Sequence, residues 1–153
     1  YLRQWGSAGS EEGQFVATGG GHPHCVVLGN DGLVYTCDRG QNRVQVFDKQ
    51  GTLIRVVPID PPEYLNATLR ADDIELSRDA DQRWLFVVDL GSNRVWILKR
   101  TTGEIIGSIG GSGHMAGEFT FPHTIVMDSH GDLYIAETLG GRRQQKFRSQ
   151  TSN

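Results

Sequence analysis

Two histidines stand out because each follows a proline and opens a similar apolar stretch. They are His24, in Pro23-His24-Cys25-Val26-Val27-Leu28, and His123, in Pro122-His123-Thr124-Ile125-Val126-Met127. Imidazole nitrogen is a common ligand for zinc and similar ions, and catalytic zinc takes three protein ligands with a fourth position open. No two histidines have the spacing of a helical metalloprotease motif, so a shared site must be assembled by the fold. The matching position of an intervening segment is Asp72, followed by Asp73. Acidic oxygens of that kind make calcium the alternative metal, although calcium asks for more such ligands than these two.

The elements that would position these residues follow from a repeat. Three segments align: residues 24–47, 72–98 and 123–147. His24 to Asp38 is 14 residues, as is His123 to Glu137; Asp38 to Asp89 is 51 and Asp89 to Glu137 is 48. Each unit holds strand-like runs of β-branched and aromatic residues separated by Gly, Asn and Asp, as in Leu33-Val34-Tyr35-Thr36-Cys37-Asp38 and Asn42-Arg43-Val44-Gln45-Val46-Phe47. No window carries a long 3.6-residue apolar period. Four short antiparallel strands in a repeat of roughly 40–50 residues predict a β-propeller, with the first strand of each blade lining a central channel.

Composition agrees. Gly supplies 20 of 153 residues against 5 Pro, which fits many tight turns rather than a disordered low-complexity chain. A net charge of −3 gives no general attraction to nucleic acid or to an acidic membrane surface, and no apolar run is long enough to cross a bilayer.

The resemblance is more specific than the architecture. Trp5-Gly6-Ser7-Ala8-Gly9-Ser10-Glu11-Glu12-Gly13-Gln14-Phe15 resembles the connection between blades of NHL-repeat propellers, and residues 109–119 repeat it. The stretch from Asp38 to Phe47 is similar to the family's Asp-x-x-Asn-x-Arg-Ile-Gln-x-Phe. The expected organisation is an outer strand of a preceding blade at residues 1–5, blades at 15–57 and 71–110, and an incomplete blade at 119–148. Residues 58–70 are an insertion by the family's standards. Propellers of this family close with six blades, so about three blades imply either a missing half of the propeller or a second copy closing a C2 ring.

The Pro-His pairs further resemble those of peptidyl-α-hydroxyglycine amidating lyase, a six-bladed propeller whose histidines on alternate blades hold zinc. Alternate blades of six stand about 120° apart, which suits a trigonal ligand set. The resemblance implies a divalent metal, zinc first, on His24 and His123, with a third ligand from a blade outside this chain. It implies that Arg39, following Asp38, stabilises developing oxyanion charge, that Tyr35 or Tyr64 substitutes for the family's tyrosine, and that the setting is secreted or periplasmic. The substrate would be a peptide or small molecule cleaved at a carbinolamide C–N bond. Two other functions are carried forward: a non-catalytic scaffold that binds a protein, peptide or nucleic acid through the 58–70 insertion, and a calcium-dependent lactonase-like hydrolase.

Blander roles are weighed beside these. Each Pro-His histidine could instead hydrogen-bond a neighbouring blade. Asp38, Asp89 and Glu137, each followed by Arg43, Arg94 or Arg142 and Arg143, are expected to tie strands together. Gly110, Gly111, Gly113 and Gly117 lack the helix and lysine of a phosphate loop, and Asp79 and Asp81 do not continue as a calcium loop. Cys25 and Cys37 are expected as buried thiols, a cross-strand disulfide being the other reading. His22, His114 and His130 are expected in solvated loops. The basic end formed by Arg142, Arg143, Lys146 and Arg148 lacks stacking aromatics, which argues against RNA. Asn66-Ala67-Thr68 matches a glycosylation triplet.

Overall fold

The computed structural model describes residues 1–16, 22–61 and 70–150. Tyr64, Leu65 and the Asn66 triplet, and with them most of the 58–70 insertion, lie outside the described residues. Apart from one 3-10 turn at Arg39–Gln41, the described elements are all β. Strands β1 (Ser7–Ala8) and β2 (Gln14–Phe15) pair in parallel within the first connection. The first blade is an antiparallel meander of β3 (Pro23–Leu28), β4 (Val34–Asp38), β5 (Arg43–Phe47) and β6 (Leu53–Pro58). The second is β7 (Arg70–Leu76), β8 (Trp84–Asp89), β9 (Arg94–Lys99) and β10 (Ile105–Gly110). The third has three strands, β11 (Pro122–Met127), β12 (Leu133–Glu137) and β13 (Gln144–Phe147). The first strands are neighbours: β7 lies between β3 and β11.

A strand sends successive side chains to opposite faces, and the middle blade uses both. Leu85 and Val87 join Tyr35, Val44, Val46, Ile74 and Leu98 in a core against the first blade. Phe86 and Val88, alternating with them in sequence, join Phe119, Ile125, Met127 and Ile135 against the third. This is why Trp84-Leu85-Phe86-Val87-Val88 reads as an unbroken apolar run: neither face of β8 meets water. The outer faces of the end blades leave Val26, Leu28, Val126 and Tyr134 exposed. Residues 1–5, expected as an outer strand, form none here, and no further sheet within the described residues offers them a partner. Trp5 instead packs its ring against Phe47, 6.2 Å between centroids.

The recurrent acid, arginine and glutamine form one clasp, built twice. In the first blade Asp38 Oδ2 accepts from Arg43 Nε at 2.6 Å and from Gln45 Nε2 at 2.9 Å. Arg43 Nη2 and Gln45 Nε2 then donate to the carbonyls of Glu11 and Gln14, while Gly13 N donates back to Gln45 Oε1. In the third blade Glu137, Arg143 and Gln145 repeat this on the carbonyl of Glu118 and the amide of Gly117. The clasp closes the Gly-rich connection, where Gly6 and Gly110 take φ values of 87° and 90° and a Cβ would collide with Phe15 and Phe119 respectively. In the second blade Trp96 stands where the glutamines do, and its Nε1 donates to Asp89 Oδ2 at 2.8 Å.

Two asparagines tie each blade to the next. Asn42 and Asn93 sit in the left-handed region at φ 52° and 54°, and their Oδ1 atoms accept from Arg70 N at 3.1 Å and Phe121 N at 2.7 Å. Those amides enter the following inner strand.

Glu137 shows how strongly the clasp is held. Burial raises its carboxyl pKa, but the Thr120 amide, Arg143 and Gln145 outweigh this and hold it below the ordinary 4.5. A depressed carboxylate contributes stability that is present above the unfolded value and lost as pH falls through the folded one. Glu137→Gln is expected to destabilise the protein at pH 7 by about 2 kcal/mol, the scale of a charge-assisted hydrogen bond. In urea unfolding across a pH series, the gap from the parent should shrink as pH falls below 4.5. A gap that does not change with pH would contradict the account.

Candidate functional site

All three inner strands break register near their start, and each break releases one of the residues singled out by sequence. Between β3 and β4, Pro23 faces Asp38 and Val26 faces Thr36, so His24 and Cys25 share Cys37 alone. Between β7 and β8, Arg70 faces Asp89 and Asp73 faces Val88, which leaves Ala71 and Asp72 with no opposite residue. Between β11 and β12, Pro122 faces Glu137 and Thr124 faces Ala136, which leaves His123 unopposed. A bulge turns a side chain out of the regular alternation, and it is a common device beside functional sites. Ala71 and Phe121 take φ values of 61° and 58° at these breaks.

The released side chains converge. One ligand atom from each of His24, Asp72 and His123 lies within 4.8 Å of the others. The two imidazoles meet edge to face, with centroids 5.1 Å apart and planes at 76°. His24 Nδ1 lies 2.6 Å from the main-chain oxygen of Asp72. A carbonyl only accepts, so Nδ1 carries the proton, and in the neutral ring Nε2 keeps the lone pair that can take a ligand. The hydrogen bond to a neighbouring blade and ligand capacity, set against each other from the sequence, therefore coexist on one ring.

Asp72 is the hub. Its side chain is wholly buried; Oδ1 accepts from Arg39 Nη1 at 2.9 Å and Oδ2 from Leu90 N at 3.3 Å. Burial raises its carboxyl pKa, partly offset by Arg39 and the Leu90 amide. Asp73 is likewise raised by burial against the amides of Ile125 and Ile74 and the two histidines. Arg39, on the turn after β4, thus reaches across a blade boundary to the same point as the histidines.

The donor set fits a borderline metal better than calcium. Ligands bonded at about 2.0–2.1 Å to one ion lie at most about 4 Å apart, so small ring rotations would close His24 and His123 on a zinc-sized centre. Both oxygens of Asp72 and both of Asp73 already accept hydrogen bonds, and no wider cage of carboxylates surrounds them among the described residues.

Other sequence candidates fall elsewhere. Tyr35 is buried at the far end of β4, where its hydroxyl donates to Asp31 Oδ2 at 2.8 Å and contacts Arg55 and Arg100. Its register partner is Val27, not His24, so it is an inter-blade support. Cys25 and Cys37 form a disulfide with Cα atoms 4.9 Å apart, correcting the expectation of two thiols. The reason is register: the regular pairing of Leu28 with Val34, Val27 with Tyr35 and Val26 with Thr36, continued by one residue, sets Cys25 opposite Cys37, and His24 is the residue left over. At the basic end, Arg143 is spent on the clasp, and Lys146 pairs with Asp132 at 2.8 Å. His22, His114 and His130 are exposed. Sequence reasoning missed Asp72 as the common partner of His24 and Arg39; its alignment with the two histidines was the available signal.

Comparison with known proteins adds a family likeness and the fold. Residues 21–47 match the NHL repeat. Human NHL repeat-containing protein 3 is 28% identical over 134 residues, covering 82% of this chain and 35% of that protein. The chain thus spans about a third of the curated relative's length. Among solved structures, a putative 6-phosphogluconolactonase from Bacteroides uniformis superposes with a TM-score of 0.67 at 19% identity, covering 92% of this chain and 43% of that one. A streptogramin B lyase superposes with a TM-score of 0.59 at 17% identity, covering 83% and 37%. At these identities the likeness carries the propeller fold alone.

Removing Asp72 takes from Arg39 the buried carboxylate it meets in the site. Asp72→Ala is expected to cost about 3 kcal/mol, as for other buried pairs broken on one side. Adding Arg39→Met should recover most of that. A double-mutant cycle by chemical denaturation measures the coupling, and strict additivity would show that the pair is not a unit.

Proposed function

We propose, on the premise that this chain is an NHL-repeat β-propeller, that its channel is a divalent-metal site serving a lyase reaction. The observation that carries this reading is the convergence of His24 and His123 from separate bulges, with Arg39 held beside them through Asp72. Zinc is the favoured ion, and the third ligand is assigned to an alternate blade of a six-bladed ring outside this chain. The rest of that ring is a missing half or a second copy of the chain. The Cys25–Cys37 disulfide agrees with a secreted or periplasmic setting, where such bonds persist.

In this reading the chain's own residues bind and orient. The Asp72 carbonyl fixes the tautomer and angle of His24, as second partners of ligating histidines do. Asp72 also holds the Arg39 guanidinium at the channel, where it faces negative charge growing on a substrate oxygen. A bound divalent ion would supply Lewis-acid polarisation. The substrate class is a peptidyl-α-hydroxyglycine: the hydroxyl proton leaves oxygen, the C–N bond breaks, and the amide nitrogen takes up a proton. The products are a peptide amide and glyoxylate, with no oxidant required. Streptogramin B lyase shares the fold and is itself named a lyase. The lactonase and scaffold readings gain no comparable geometric support: the acidic oxygens are already engaged, and most of the 58–70 loop lies outside the described residues.

Metal content by elemental analysis, followed by zinc titration, tests the site first. Binding at the channel should fall at least about 100-fold in His24→Ala and in His123→Ala, since each removes a first ligand. Arg39→Met should leave metal affinity nearly unchanged while lowering glyoxylate release about 100-fold, the scale of one lost oxyanion donor. Protein that takes up no divalent metal would overturn the enzyme reading and leave the scaffold as the reading to test next.

A further inference from the structure

We infer that the Cys25–Cys37 disulfide is a positioning device for His24, locking the bulge that aims this ligand into the channel. The inference rests on the metal-site reading above, but its geometry does not. Between β3 and β4 the extra residue is accommodated where His24 and Cys25 oppose Cys37. The disulfide joins the second of those two residues to the single residue opposite. It therefore fixes the strand pairing at the edge of the irregularity, one residue after His24 and two before Arg39.

The other two inner strands hold their breaks by different means. The break in β7 begins at Arg70, whose amide is bound by Asn42 Oδ1 at 3.1 Å and whose buried guanidinium donates to the Ile59 carbonyl at 2.9 Å. The break in β11 follows Phe121, whose amide donates to Asn93 Oδ1 at 2.7 Å and whose carbonyl accepts from Thr138 N at 2.9 Å. Both use an asparagine from the blade before. Among the described residues, β3 has the disulfide in that role. A bulge without a tether is free to slip register by one residue, and a one-residue slip sends every following side chain to the opposite face. For β3 that slip would swing His24 off the Asp72 carbonyl and away from His123.

The double variant Cys25→Ala/Cys37→Ala tests this without introducing new thiol ligands for the metal. Two readouts apply. The first needs no metal: imidazole nitrogen NMR of histidine-labelled protein, where the parent His24 should show one tautomer protonated at Nδ1. In the variant that signature should be lost or averaged, while the His123 signals stay in place. The second is zinc affinity by competition with a chromophoric chelator, expected to weaken at least about tenfold, the scale reported for ligand-orienting partners. Unchanged His24 signals with affinity within about twofold would overturn the proposal. So would simultaneous loss of the His123 signals, because the bond would then be holding the whole fold rather than one bulge. If the parent binds no zinc, the metal reading fails by itself and the His24 tautomer alone decides the positioning role.

Discussion

The inner strand of each blade has a free edge, and its amides and carbonyls cannot go unpaired once the blades close around a channel. Among the described residues no fifth strand covers that edge. Side chains from the neighbouring inner strand do so instead. Asp73 Oδ2 and Glu75 Oε2, two residues apart on β7, accept from the amides of Ile125 and Met127, two residues apart on β11. On the other side, His24 of β3 donates to the carbonyl of Asp72 on β7. Satisfying the edge and building the site are thus the same act. The residue types that line the channel are fixed by both demands.

This explains why the middle blade is acidic along its inner strand and the first blade carries a histidine beside it. Carboxylates suit a neighbour that presents amides; an imidazole can donate to a carbonyl with one nitrogen and keep the other for a ligand. Burial raises the Asp72 and Asp73 pKa values because these groups are stripped of water. Arg39 answers part of that desolvation at Asp72, and so its own position is dictated by a residue of the next blade.

The clasp of acid, arginine and glutamine is the second recurrent solution, at the blade margin. Its recurrence was visible in the spacing of Asp38, Arg43 and Gln45 against Glu137, Arg143 and Gln145, because each clasp is local in sequence. The apolar runs were legible for a similar reason: a strand buried on both faces, such as β8, records it residue by residue. The all-β repeat of short antiparallel strands follows from those local patterns.

What the sequence by itself determined, then, was the repeat, the blade strands, the structural role of the recurrent charges and the two histidines as a matched pair. Tertiary structure alone decided three things. It joined Asp72 to both His24 and Arg39 across a blade boundary, since that contact depends on how adjacent inner strands approach. It placed Tyr35 among Asp31, Arg55 and Arg100, away from the histidines. It also turned Cys25 and Cys37 from expected thiols into a bond, because the register of β3 on β4 sets them opposite each other. Register and blade approach are long-range quantities set by packing, and a residue pattern read along one strand does not encode them.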